Sequence, residues 1–102
     1  MLKKIKIGWK EYKIERSEVK STLVVEGSEC YGQISYDDQV IYLRDGNTEE
    51  QDRATLIHEA LHGISDMYYL KLDEETVTRL GDALYTVIKD NQLSLTGEHG
   101  QS

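Results

Sequence analysis

His58, Glu59 and His62 stand in the pattern H-E-x-x-H, inside the run Thr55-Leu56-Ile57-His58-Glu59-Ala60-Leu61-His62-Gly63-Ile64. On a helix, residues four apart lie one above the other, so two imidazoles at this spacing can be aimed at a single cation. A histidine pair with a carboxylate beside an open coordination position is the donor set of hydrolytic zinc sites, where Zn–N distances are about 2.0–2.1 Å. The pattern therefore predicts Zn²⁺ as cofactor, His58 and His62 as ligands, and Glu59 as the catalytic base.

The chemistry requires a helix, and the surrounding residues predict one. With Ile57 at the centre of a face, steps of 100° put Ala54, Leu61 and Ile64 within about 60° of it, as one buried stripe. His58 and His62 fall at the edge of that stripe and Glu59 further round, with Asp52 and Asp66 near the solvent side. Thr48-Glu49-Glu50-Gln51 has the form of a capping box, and Gly46-Asn47 breaks whatever precedes it. Gly63 is expected to loosen the helix near its end.

An open zinc site normally takes three protein ligands. The continuation H-x-x-G-x-x-H fails, because Ser65 and Tyr68 occupy the glycine and third-histidine places. The next source is the last helix, where Asp73 is a natural N-cap and Glu74 and Glu75 occupy the first turn. Val77, Leu80, Gly81, Leu84 and Ile88 make its expected inner stripe. Measured from Val77, Glu74 lies about 60° round the helix and Glu75 about 160°, so Glu74 is the expected third ligand and Glu75 the alternative.

The remaining elements follow in chain order. Lys3 to Trp9 alternates polar and apolar residues, as a half-buried strand does, and a second strand is expected through Tyr12 and Ile14 after a turn at Gly8 or Lys10-Glu11. Arg16 to Lys20 reads as a loop or one helical turn, and Leu23-Val24-Val25 as a short β-branched run. Tyr31–Tyr36 and Val40–Leu43, separated by Asp37-Asp38-Gln39, form an expected antiparallel hairpin. The expected fold class is α+β: a small antiparallel sheet of about three to five strands against two main helices, in one domain over 1–92, with a flexible tail over 93–102. His99 in that tail reads as an exposed histidine.

Composition narrows the function classes. The chain has 102 residues, 38% hydrophobic and 30% charged, which describes one globular core rather than a disordered chain. No apolar run approaches the roughly 18 residues that span a bilayer, and no signal-like block follows Met1, so a cytoplasmic protein without a membrane partner is expected. The single Cys30 is expected to be a small buried apolar group. The net charge is −7, with seven Lys or Arg against three acidic residues in 1–20 and five against sixteen in 21–102. An acidic body disfavours phosphate contacts, so no nucleic-acid partner is expected, and the basic amino-terminal ribbon reads as a solvated strand face.

The T-L-I-H-E-A-L-H run together with Glu74-x-x-Val77-x-x-Leu80-Gly81 resembles the core of minimal gluzincin-type zinc peptidases, the ImmA/IrrE family, especially its short phage- and prophage-borne forms. The likeness covers roughly residues 30–91. It implies a zincin-like minimal core, a third ligand at Glu74 and a peptide or protein substrate. Glu59 would take the proton of the attacking water and pass it to the leaving amine. Asp66 is a candidate to hold the free N–H of His62. Tyr68 and Tyr69 are near in sequence, but no oxyanion donor is identified. Substrate could add as a strand to Tyr31–Tyr36 or Val40–Leu43. The competing expectation is a non-enzymatic zinc-containing module that binds a phage or host partner protein. Oligomeric state is left open.

Overall fold

Alternation of apolar and polar residues in Lys4-Ile5-Lys6-Ile7 and in Tyr12-Lys13-Ile14-Glu15 produces two strands with one wet and one dry face. They are β1 (Lys4–Ile7) and β2 (Lys10–Ser17), joined by a tight turn in which Gly8 takes φ +63°. The computed structural model describes residues 2–17, 24–25, 28–29 and 31–92. Cys30, the tail from 93 onward with His99, and most of the 18–30 segment lie outside the described residues. Next come β3 (Val24–Val25) and β4 (Ser28–Glu29), which pair with each other as a separate two-stranded sheet, then β5 (Gly32–Ser35), β6 (Val40–Arg44), α1 (Glu49–Met67) and α2 (Glu74–Asn91).

The fold class is α+β, a four-stranded sheet with two helices, in the order β1-β2-β6-β5. The sheet is mixed rather than wholly antiparallel. β1 with β2 and β5 with β6 are the expected antiparallel pairs, but β2 runs parallel to β6 with Ile14 opposite Ile41. The chain leaves β2, enters at the far strand β5, and returns through β6 into the gap. Strand pairing seen from local turns cannot reveal this, since the connection between β2 and β5 is long. β6 is thus internal, and among the described residues β5 is an open edge. β2 also extends through Arg16 and Ser17, where a loop or a helical turn was predicted.

α1 lies antiparallel to β2 across the dry face, and two ion pairs show it. Arg16 donates to both carboxylate oxygens of Asp52, while Lys10 Nζ stands 3.7 Å from Asp66. Fourteen helical residues rise about 21 Å and six strand residues about 20 Å, so the two pairs bracket one shared length. Between them Ile7, Tyr12, Ile41 and Leu43 form the core, covered by Leu56, Ala60, Ile64 and Met67 of the helix.

Two expected faces are corrected by this placement. Asp52, predicted near solvent, is 4% exposed, because the Arg16 guanidinium reaches over from β2 and Asn47 Nδ2 donates from 3.1 Å. Arg16 accordingly holds the Asp52 carboxyl below its ordinary pKa. The Ile57-centred stripe is in fact two faces: Leu56, Ala60 and Ile64 meet the sheet, whereas Ile57 and Leu61 turn toward α2. A helix in the middle layer needs apolar residues on two sides, and a single wheel average blurs them. On α2, Val77 and Gly81 are buried, but Leu80 and Leu84 sit at 40% and 38% exposure, since α2 packs chiefly on α1 alone.

Gly63 does not loosen α1, which continues to Met67; it lets the helix close on the sheet. A Cβ there would lie 2.7 Å from Ile7 Cδ1 and 3.2 Å from Ile34 Cδ1. At Gly32 a Cβ would lie 2.3 Å from Thr55 Cγ2 and 2.8 Å from the Tyr42 carbonyl oxygen. Side-chain ends can turn aside and a paired carbonyl cannot. Gly32→Ala is therefore expected to cost about 1–3 kcal/mol of stability. Gly63→Ala should cost less, because alanine is worth up to about 1 kcal/mol over glycine inside a helix. Urea unfolding of the two variants beside the parent checks the order.

Candidate metal centre

The site is built by two helix starts and one reversal. Thr48 opens α1 with the expected box: its Oγ1 accepts from the Gln51 N–H at 3.1 Å, and the Thr48 N–H donates to Gln51 Oε1 at 2.9 Å. From there the i, i+4 spacing stacks His58 and His62, whose ring centroids are 5.0 Å apart. Ser65 then latches the reversal, its hydroxyl accepting from the Leu72 N–H at 2.9 Å and its carbonyl from the Leu70 N–H at 3.0 Å. Tyr69 and Lys71 both take φ +57° to complete the turn. Asp73 caps α2 by accepting from the Thr76 N–H at 2.8 Å, which sets Glu74 as the first helical residue.

This geometry brings Glu74 between the histidines. Its Oε2 is 2.9 Å from His58 Nε2 and its Oε1 is 2.9 Å from His62 Nε2. One ligand atom from each of the three residues can be chosen so that all lie within 4.8 Å of one another, an arrangement that could hold a metal ion. Donors held about 2.0–2.1 Å from one tetrahedral centre are about 3.3 Å apart, a spacing that falls within the 4.8 Å that bounds this cluster. The donor set of two imidazoles and one carboxylate also fits a borderline-soft divalent cation. Thr78 Oγ1, one turn along α2, donates to Glu74 Oε2 at 3.3 Å. Glu75 points elsewhere, pairing with Arg79 at 2.7 Å.

Glu59 sits beside this cluster at 8% exposure. Burial, with the Glu74 carboxylate adding to it, pushes its pKa up to about 7. A carboxyl poised near neutrality can both take and return a proton at physiological pH. His58, Glu59, His62 and Glu74 all open onto one cleft of about 610 Å³, lined also by Gly32, Gln33 and Ile34 of β5 and by the flanking Tyr31 and Tyr36.

Other candidates fall away from the cluster or join it unexpectedly. Asp66 is drawn to Lys10 rather than to His62. Tyr68 and Tyr69 are 58% and 85% exposed on the connector. Tyr36, by contrast, borders the cleft together with His58, Glu59 and His62. It lies in the turn just after β5, where no local pattern marks which way a side chain faces. Ser65 and Thr78 carried no signal, because their roles depend on how the two helices are joined.

No protein-family model, no curated protein and no solved structure matches this chain. The family resemblance therefore rests on the motif residues, and the chemistry on the side chains just described.

Proposed function

We propose that the chain is a small zinc-dependent peptidase, cytoplasmic, acting on a peptide or protein substrate. The observation that carries this reading is Glu59: a buried carboxyl with its pKa near 7, next to a His-His-Glu cluster and open to a cleft. A site kept only for structure gains nothing from such a group. His58, His62 and Glu74 would hold the ion, with the Thr78 hydroxyl steadying Glu74. When bound, zinc supplies Lewis-acid polarisation of a carbonyl and lowers the pKa of water.

The rest falls to the protein. Glu59 accepts a proton from the water whose oxygen attacks the scissile carbonyl carbon. As the C–N bond breaks, Glu59 returns that proton to the leaving nitrogen. The edge of β5 that is unpaired among the described residues offers backbone N–H and C=O groups along the cleft, so an extended peptide can add there as a fifth strand. The other expected docking strand, Val40–Leu43, lies inside the sheet with both edges occupied.

A second reading, a zinc-containing binding module without catalysis, draws on the exposed apolar row Leu80, Leu84 and Val87 of α2. Metal removal separates the two. The zinc-loaded protein should cleave members of a random peptide library, lose cleavage in excess chelator, and regain it on adding zinc, followed by mass spectrometry. Zinc-loaded protein that leaves the whole library intact overturns the peptidase.

A further inference from the structure

We infer that Tyr36 is a catalytic residue of this site, its phenol O–H donating a hydrogen bond to the scissile carbonyl oxygen as negative charge builds there. The inference rests on the peptidase reading and names the oxyanion donor that reading lacks.

Three observations place it. Side chains alternate along β5, and Gly32 and Ile34 both face α1: a Cβ on Gly32 would meet Thr55 and come within 3.7 Å of Glu59 Cγ, and Ile34 Cδ1 lies against Gly63. Tyr36 is the first residue after β5, two positions beyond Ile34, in the turn that leads into β6. It follows Ile34 past Gly63 toward the end of α1 that holds Ser65 and Asp66. Secondly, Tyr36 and His62 both border two neighbouring hollows: the metal cleft, and a smaller one of about 280 Å³ that also reaches Ser65 and Asp66. Tyr36 thus stands at the edge of the cluster, bordering the same cleft as Glu59. Thirdly, the half-buried Tyr36 makes no hydrogen bond to a described residue, so its hydroxyl can donate.

The electrostatics suit a donor rather than an acceptor. Burial first, then the carboxylates of Asp66, Glu59 and Glu74, raise the phenol above its ordinary pKa, so it stays protonated through the neutral range. In the reaction the water oxygen bonds to the carbonyl carbon, Glu59 holds the water's proton, and the carbonyl oxygen gains charge. Tyr36 keeps its own proton and only shares it. When the C–N bond breaks, the proton on Glu59 leaves with the amine.

Tyr36→Phe removes one oxygen and leaves the ring. Its zinc content and unfolding midpoint should match the parent, its kcat should fall about 10²–10³-fold, as for loss of an oxyanion donor, and KM should change little. A second readout does not require turnover: a phosphinic dipeptide, whose anionic oxygens mimic the charged carbonyl, should bind Tyr36→Phe at least about tenfold more weakly by calorimetry. Tyr69→Phe, at 85% exposure, should behave as the parent in both. If the parent cleaves peptides and Tyr36→Phe cleaves as fast or binds the phosphinate as tightly, the role of Tyr36 is overturned while the peptidase stands. If the zinc-loaded parent cleaves nothing, the peptidase reading fails and takes this role with it.

Discussion

Glu59→Gln is expected to hold zinc as the parent does and to cleave peptides about 10²–10⁴-fold more slowly, the range that a positioned general base contributes. The amide is nearly isosteric, so the cleft keeps its shape, but it cannot accept a proton from water. The same variant should be the more stable protein once metal is removed. Glu59 has its pKa raised from 4.5 to about 7 by burial and by Glu74. A carboxyl raised on folding binds more protons folded than unfolded, so stability is lost as pH climbs from about 4.5 to about 7 and is not regained above. At 1.36 kcal/mol per pKa unit the penalty is on the order of 3 kcal/mol. Urea unfolding of chelator-treated parent and Glu59→Gln at pH 5 and pH 8 should show the variant pulling ahead at pH 8. Parallel curves at both pH values would remove the buried-carboxylate account. Slow cleavage and gained stability in one substitution are what a group kept for chemistry produces.

That opposition also explains which parts of the site were legible in the sequence. His58, Glu59 and His62 declare themselves because their roles are fixed by spacing on a single helix, and the Thr48 box and Asp73 cap mark helix starts through local hydrogen bonds that the structure contains. Glu74 could be ranked above Glu75 by angle alone, since its neighbour Val77 faces α1 and is fully buried. What depends on assembly stayed hidden. Asp52 looked like a solvent-side carboxylate because nothing near it in sequence announces that Arg16, thirty-six positions earlier, will bridge it. The parallel β2–β6 pair has no turn signature, and without it neither the edge position of β5 among the described residues nor the place of Tyr36 beside the cleft can be assigned.

The layering of the molecule makes the same point energetically. A helix with one buried face can be read from its 3.6-residue period, and α2 nearly can: Val77 and Gly81 lie where expected. α1 mixes Asp52, Thr55, Glu59, Gly63 and Ser65 among its buried positions. Each has a reason in the third dimension. Asp52 meets Arg16, Thr55 fills the space beside Gly32, Glu59 opens on the cleft, Gly63 admits the sheet, and Ser65 latches the reversal. Polar and small residues at functional or close-packed positions dilute the hydrophobic period most where the helix does most.

Glu74→Ala and Glu75→Ala, one residue apart, should then behave as opposites. Glu74 touches both His58 and His62 at 2.9 Å, while Glu75 is occupied by Arg79 on the outer side of α2. Losing a residue that merely orients a ligand lowers metal affinity about 10–100-fold, and losing a ligand should exceed that. Zinc titration against a competing chelator is expected to show Glu74→Ala falling by more than this range and Glu75→Ala matching the parent. The comparison is internally controlled, because both changes remove one carboxylate from the first turn of the same helix and so cost it the same favourable dipole interaction. A general electrostatic attraction of an acidic surface for cations would weaken both variants alike. Only a site built from His58, His62 and Glu74 singles out the first, and equal affinities in the two variants would dismantle that site.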